Sequence, residues 1–340
     1  MSKLTFLTQE QCFESDKLDI LEKRGTQAAI TDFSILLGGW VERGTYYWHI
    51  PSDDSLEGRT GYYWTRSDDG GNDARVVDDR GNWYYDIVCG RNGGARPALP
   101  FSSISSIPTN GVSGRRASDG ILEVEYGYYP QKAVSRDMQQ KLERAFQRRS
   151  LSRTGKKYTT DSRKYDEYGK EFSPKQHEEF QLDGKRYVRV EANSCFDGDE
   201  FKLSNGEIYR DGDPVWVEVA PVKWLVDERA KMMLTDKLIF AGVQFKHTRD
   251  YYTEDFDRTD IKTFMDRYLS KELEQSRGTI EVGEQSEEIP EVQPRKSRLQ
   301  KLNPDKTKEA SRARMTDTEI IQNWIELIKR SIWNRKNRKN

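Results

Sequence analysis

The side chains able to do covalent or metal chemistry are few in this chain and stand far apart. Its three cysteines, Cys12, Cys89 and Cys195, show no CxxC or Cys/His spacing, and its three histidines, His49, His177 and His247, share no short motif with them. A zinc site needs its ligands closely spaced, and an odd number of scattered thiols makes no disulfide framework, so reduced thiols are expected. Cys89 has no local base that would activate it as a nucleophile. No Gly-rich phosphate loop stands between a strand and a helix, and neither HExxH nor GxSxG occurs. The acid pairs Asp53-Asp54, Asp68-Asp69 and Asp78-Asp79 could take calcium but suit turns equally well. No catalytic set, no metal and no cofactor is expected.

What the chain concentrates instead is recognition chemistry. From Gly61 to Ile104 it packs Trp, Tyr, Arg, Asn and Gly into one block of short strands and loops. Tyr and Trp give rigid amphipathic contact area, Asn and Gly give adaptable loops, and Arg anchors polar partners. The candidate ligand contacts are Tyr62, Tyr63, Asn82, Trp83, Tyr84, Tyr85, Asp86, Arg91 and Asn92, with Trp64, Ile87 and Leu99 assigned to the core. A second candidate lies at the C-terminus, where a helix over 315–340, capped at Thr316, aligns Ile320, Trp324, Leu327 and Ile328 and ends in Lys and Arg. Such a face needs a partner: its own domain, another copy in a homo-oligomer, an anionic membrane or an acidic protein. DNA binding by this basic end lacks a recognition-helix motif.

The elements that must position these groups follow from periodicity and turn residues. Residues 8–37 carry two short helical patterns, with Thr8 and Gln11 spaced as a capping box and Gly38-Gly39 as a stop. From Trp40 to Ile107 the pattern is strand and turn. Leu122, Val124 and Tyr126 alternate with Glu123 and Glu125, a strand with one wet face. Met138, Leu142, Ala145 and Phe146 predict a helix over Ser135–Arg149, whose basic outer face reads as solvated. Ser150–Phe180 is polar and without period, which predicts a loop. Strands resume around hairpin signals at Asp183-Gly184 and Asn205-Gly206, continue through Val215, Val217 and Val219, and are followed by a strand and turn in AKMMLTDKLIFAGVQF. A helix capped by Asp260 then presents Ile261, Phe264, Met265, Tyr268 and Leu269 on one face.

Composition sets outer limits. At 340 residues there is room for two domains or for one elaborated domain and a tail. A net charge of -1 argues against a generally basic nucleic-acid binder. Charged residues make up 33% and are segregated near the end: Glu281, Glu284, Glu287, Glu288 and Glu291 precede a basic run from Arg295 to Arg314, which predicts a disordered linker over 274–314. With no signal-peptide pattern and no long apolar run, a cytoplasmic protein without a transmembrane segment is expected.

Several of these segments also carry a resemblance. GILEVEYGYYPQ, then PVKWLVDERAKMMLTDKLIFAGVQF, then Phe256 with TDIKTFMDRYLSKEL are similar to the opening half of an uncharacterised bacterial, Firmicutes-type domain family related to the formylglycine-generating enzymes. The family's closing half resembles Tyr62-Tyr63-Trp64-Thr65-Arg66-Ser67 and Arg96-Pro97-Ala98-Leu99, which here come first; Met265-Asp266 replaces its Leu-Asn pair. The resemblance implies an α+β, C-type-lectin-like mixed sheet with flanking helices, circularly permuted within 40–273, so that 40–107 completes a fold whose other half is 120–273. Two small separate domains are the alternative, and 1–39 forms an N-terminal helical segment. It further implies a binding protein for a protein or carbohydrate ligand, because proteins diversified by retroelements place their variable residues just before the closing strand, where Trp83 to Asn92 lie. The enzymatic alternative within the family needs paired cysteines on copper or a histidine iron set, and neither is assembled from this chain's cysteines and histidines.

Overall fold

The computed structural model describes residues 3–14, 16–41, 55–68, 73–88, 93–111, 114–161, 175–193, 200–246, 255–274 and 278–279, all within one unit spanning Met1–Glu284. Outside the described residues lie most of the linker expected over 274–314 and the whole helix expected over 315–340, with Ile320, Trp324, Leu327 and Ile328. Cys89, Arg91, Asn92, Cys195, His49 and His247 also lie outside them.

The chain begins with three short helices, α1 (Gln9–Phe13), α2 (Asp19–Arg24) and α3 (Asp32–Leu36). A small sheet follows: β1 (Tyr63–Asp68), β2 (Asp73–Val77) and β3 (Trp83–Ile87). Next come β4 (Ala98–Pro100), β5 (Pro108–Thr109), β6 (Arg115–Arg116), β7 (Leu122–Ala133) and helix α4 (Arg136–Gln147). The remaining strands are β8 (Ser152–Asp161), β9 (Lys175–Leu182), β10 (Lys185–Glu191), β11 (Phe201–Lys202), β12 (Ile208–Tyr209), β13 (Pro214–Asp227) and β14 (Met232–Thr235). A last helix runs through α5 (Asp260–Phe264), a π-helical turn (Met265–Leu269) and α6 (Ser270–Leu273), before β15 (Gly278–Thr279) pairs with β5. The fold is mixed α and β, with its named strands paired antiparallel.

The large sheet is organised on β13. One edge of this strand pairs along its length with β7, while the other pairs with β10 at its start and β14 at its end. Beyond those partners lie β9 and β8 on one branch and β4 on the other. Alternation along β13 sends Val215, Val217 and Val219 to the main core and Trp216 to the opposite face. There α4 lays Leu142, with Met138 and Phe146, over Trp216, Phe180 and Tyr187. Glu143 locks this layer, accepting from the Trp216 indole N–H at 3.0 Å and pairing with Arg189 at 3.0 Å. On the main-core face the N-terminal helices and the last helix pack together with β1 and β2, so residues 1–39 share the core of the sheet.

Two irregularities interrupt the β7–β13 ladder, and side-chain amides fill both. Where Glu218 pairs with Lys132 and Val219 with Pro130, Gln131 is extra, and its amide donates to the carbonyls of Ala220 and Pro221 at 3.0 and 2.6 Å. A second slip between Pro221 and Lys223 brings Gly127 into a left-handed conformation, φ +73°. The Asn110 amide satisfies it from both sides, accepting from the Gly127 N–H at 2.8 Å and donating to its carbonyl at 3.2 Å. Proline has no N–H to offer a ladder, so the bulges fall where the sequence places it.

Several local expectations hold. Thr8 and Gln11 form the capping box of α1, Asp183-Gly184 turns between β9 and β10, and Asn205-Gly206 turns between β11 and β12. Two expectations need correction. Ser150–Phe180 is not simply loop: β8 and most of β9 lie in it, with Tyr158 opposite His177 in the ladder. Asp260 does not cap its helix: the cap of α5 is Thr259, whose hydroxyl accepts from the Lys262 N–H, and Asp260 is the first helical residue.

A methyl group at Gly127 would sit 2.7 Å from the Leu273 carbonyl oxygen as well as forcing a side chain to positive φ. The expected outcome for Gly127→Ala is a loss of stability on the order of 2–4 kcal/mol in denaturant unfolding. An unchanged midpoint would show that α6 does not pack on this bulge.

Candidate functional site

The small sheet treats its aromatic residues in two opposite ways. On β1, Tyr63 is 2% exposed and donates its hydroxyl to the Thr26 carbonyl at 2.6 Å, with the Arg96 guanidinium 5.6 Å from its ring. Trp64 is buried against Phe245, and Tyr62 is half-buried beside Trp40. Tyr63 therefore belongs to the core and is no ligand contact. On β3 the reverse holds: Trp83, Tyr84 and Tyr85 are 51%, 50% and 46% exposed. Consecutive strand residues point to opposite faces, so three exposed in a row mean that neither face of β3 is covered among the described residues.

The turn that carries β3 is rigid where it meets the body. The Asp78 carboxylate accepts from the N–H groups of Arg80 and Asn82 at 2.9 and 2.7 Å, which is turn chemistry. Thr26 donates to the Gly81 carbonyl, and Thr60 donates to the Asp79 carbonyl at 2.6 Å. Beyond the turn, Asn82 is exposed, the Arg75 guanidinium lies 5.2 Å from the Trp83 ring, and Tyr84 and Tyr85 stack at 4.9 Å with planes 9° apart. Asp86 ends the strip half-buried; its burial raises its carboxyl pKa, the Ile87 N–H bond opposes that, and the charge of Asp73 adds to it. Of the residues expected to contact ligand, the structure thus brings together Asn82, Trp83, Tyr84, Tyr85 and Asp86, while Tyr62 stands apart beside Trp40, just before β1.

A second cluster of titratable groups was hidden in the segment expected to be loop. On the main-core face of the large sheet, Tyr158 of β8 donates to Glu179 of β9 at 2.6 Å, and Arg186 of β10 lies 3.8 Å from the same carboxylate. Glu272 of α6 enters from the helix layer, accepting from the Thr159 N–H at 2.9 Å, while Lys156 donates to its backbone carbonyl at 2.7 Å. The second Glu272 oxygen and the Tyr129 hydroxyl are buried without a hydrogen-bond partner. Burial pushes Glu272 up to about 7, against the Thr159 N–H bond and the Lys156 charge, and pushes Lys156 down to about 8. His177, bonded to Thr160 at 2.9 Å, is driven down to about 4 by its burial. These groups hold the end of the last helix to the sheet.

Cys12 is buried, and its thiol is pushed up to about 12 by that burial, so it is protonated near neutral pH. Among the described residues no three of His, Cys, Asp and Glu gather as a metal group, and no helix is long and apolar enough to cross a membrane. Comparison of the chain with protein-family models, curated proteins and solved structures finds no match in any of the three.

The raised pKa of Glu272 fixes the sign of a pH effect. Its protonated form is favoured in the fold, so its contribution is complete below its unfolded value of 4.5 and is lost as pH rises through about 7. The wild type is expected to lose on the order of 3 kcal/mol relative to Glu272→Gln between about pH 4.5 and pH 8. His177 titrates in both proteins and so cancels. Parallel stability curves for the two proteins would show that Glu272 does not titrate in this range.

Proposed function

We propose that this protein is a non-catalytic recognition protein whose ligand surface is the β2–β3 hairpin. Asn82, Trp83, Tyr84, Tyr85 and Asp86 form the contact strip; Tyr62, which precedes β1, and Arg91 and Asn92, which lie outside the described residues, are the further proposed contacts. The observation that carries this reading is the run of three large aromatic side chains, each about half exposed, on a strand covered on neither face. An apolar strip of this size is unfavourable in water, and covering it would stabilise a complex by roughly 25 cal/mol per Å2. The ligand class is a protein or a carbohydrate, both of which bind aromatic surfaces.

The scaffold reading that accompanies it is a circularly permuted C-type-lectin-like domain. Its support is that the two halves share one sheet: Leu99 of β4 pairs with Met233, Leu234 of the same strand with Leu225, and Trp224 with Val124 of β7. The motif residues Gly127 and Gln131 of the supposed opening strand also have defined roles at the bulges.

Two outcomes test these readings. Replacing Trp83, Tyr84 and Tyr85 together with Ala is expected to abolish capture from glycan arrays and displayed peptide libraries while moving Tm by less than about 3 °C; a drop beyond about 8 °C would assign the rings to the fold instead. A chain rearranged to start at residue 114 and end at residue 111, with a flexible linker from 284 to 3, is expected to unfold in one cooperative transition. Failure of that chain to fold would overturn the permuted reading.

A further inference from the structure

The open edge of β3 says how a ligand could be held there, and this step rests on the recognition reading above. Among the described residues β3 pairs only with β2. The Asp78 N–H donates to the Asn82 carbonyl at 2.9 Å, which marks this pair as hydrogen-bonded. In an antiparallel ladder such pairs recur every second residue, so Val76–Tyr84 and Ala74–Asp86 are also bonded. The backbone groups of Trp83, Tyr85 and Ile87 then point away from β2. The Ile87 N–H is met by the Asp86 carboxylate at 2.7 Å, which leaves the N–H and C=O of Trp83 and Tyr85 as the open positions.

Short, charged or proline-bearing edges discourage pairing, whereas β3 is aromatic and has no lysine or proline. We propose that β3 receives an extended segment of a partner protein as an added fourth strand, with a Lys or Arg of that segment placed beside Asp86. The cation is argued from charge. Asp86 is half-buried opposite Ala74, the charge of Asp73 on the next residue of β2 reaches it, and neither carboxylate has an ion-pair partner among the described residues. A second copy of this chain fits less well, because Trp83–Ile87 contains no cation to set against them. A carbohydrate would use the rings but not the backbone edge.

Proline separates these modes, since at residue 85 it removes an outward N–H while leaving the bonds to β2 intact. The full chain would be used to select from a displayed library of random nonapeptides, with a glycan array read in parallel. Enriched peptides are expected to alternate apolar and polar residues and to carry Lys or Arg. Their binding should fall at least about tenfold further with Tyr85→Pro than with Tyr85→Val, which removes the same ring but keeps the N–H, and should weaken with Asp86→Asn. Circular dichroism and Tm of the Tyr85→Pro chain must match those of Tyr85→Val; if they do not, N-methylation of the peptide at alternate residues replaces it as the test. Enriched peptides that bind Tyr85→Pro, or tolerate every N-methylation, would overturn strand addition. Glycan binding lost with the triple alanine variant, with no peptide enriched, would overturn it while leaving the recognition reading in place. No capture of either kind would sink both.

Discussion

The structure depends on keeping a long central strand hydrogen-bonded although its sequence contains proline. Pro221 lies inside β13 and Pro130 inside the partner strand β7, positions where a regular ladder would lose donors in a buried place. The chain answers with two bulges and two amides. Gln131 covers the carbonyls left open on β13, and Asn110 completes the backbone of Gly127. Because the register is set at these points, the faces of β7 and β13 are set too. Tyr129 and Val217 go to one core, while Trp216 goes to the other.

That register reaches the last helix. Gly127 leaves room for the backbone of Leu273, and the neighbouring Glu272 reaches Thr159 on β8. The end of the helix is thus held by a close backbone approach and by a buried carboxyl that prefers its proton. Apolar contact through Ile261, Phe264, Met265 and Leu269 supplies the rest. A buried carboxyl with one oxygen left without a partner is a weak point, and its charge state governs how firmly the helix sits.

Legibility in the sequence followed the range of the interactions. The capping box at Thr8, the helix through Leu142, the alternation from Leu122 to Tyr126 and the turns at Asp183-Gly184 and Asn205-Gly206 are local, and each was readable from a few residues. β8 was not, because its outward positions are Lys, Arg and Ser, and its inward ones, Tyr158 and Thr160, gain meaning only opposite His177 and Glu179. Thr259 and Asp260 stand side by side as possible caps, and the choice between them depends on where the preceding turn ends. Glu272 and Thr159 meet across more than a hundred residues, and no spacing rule reaches that far.

The candidate site marks the limit most clearly. Tyr63 and Tyr85 are the same residue type on strands of one small sheet, and composition cannot separate them. What separates them is the layer over each strand: β1 lies under the N-terminal segment, with Thr26 and Arg96 closing on Tyr63, whereas among the described residues β3 has a neighbour on one edge and a cover on neither face. Alternation normally hides every second side chain of a strand. At β3 that rule lapses, and an aromatic cluster that would elsewhere be core becomes surface. The fixed turn at Asp78 keeps this strand in place without help from its side chains, so the rings remain available for contacts that the fold itself does not require.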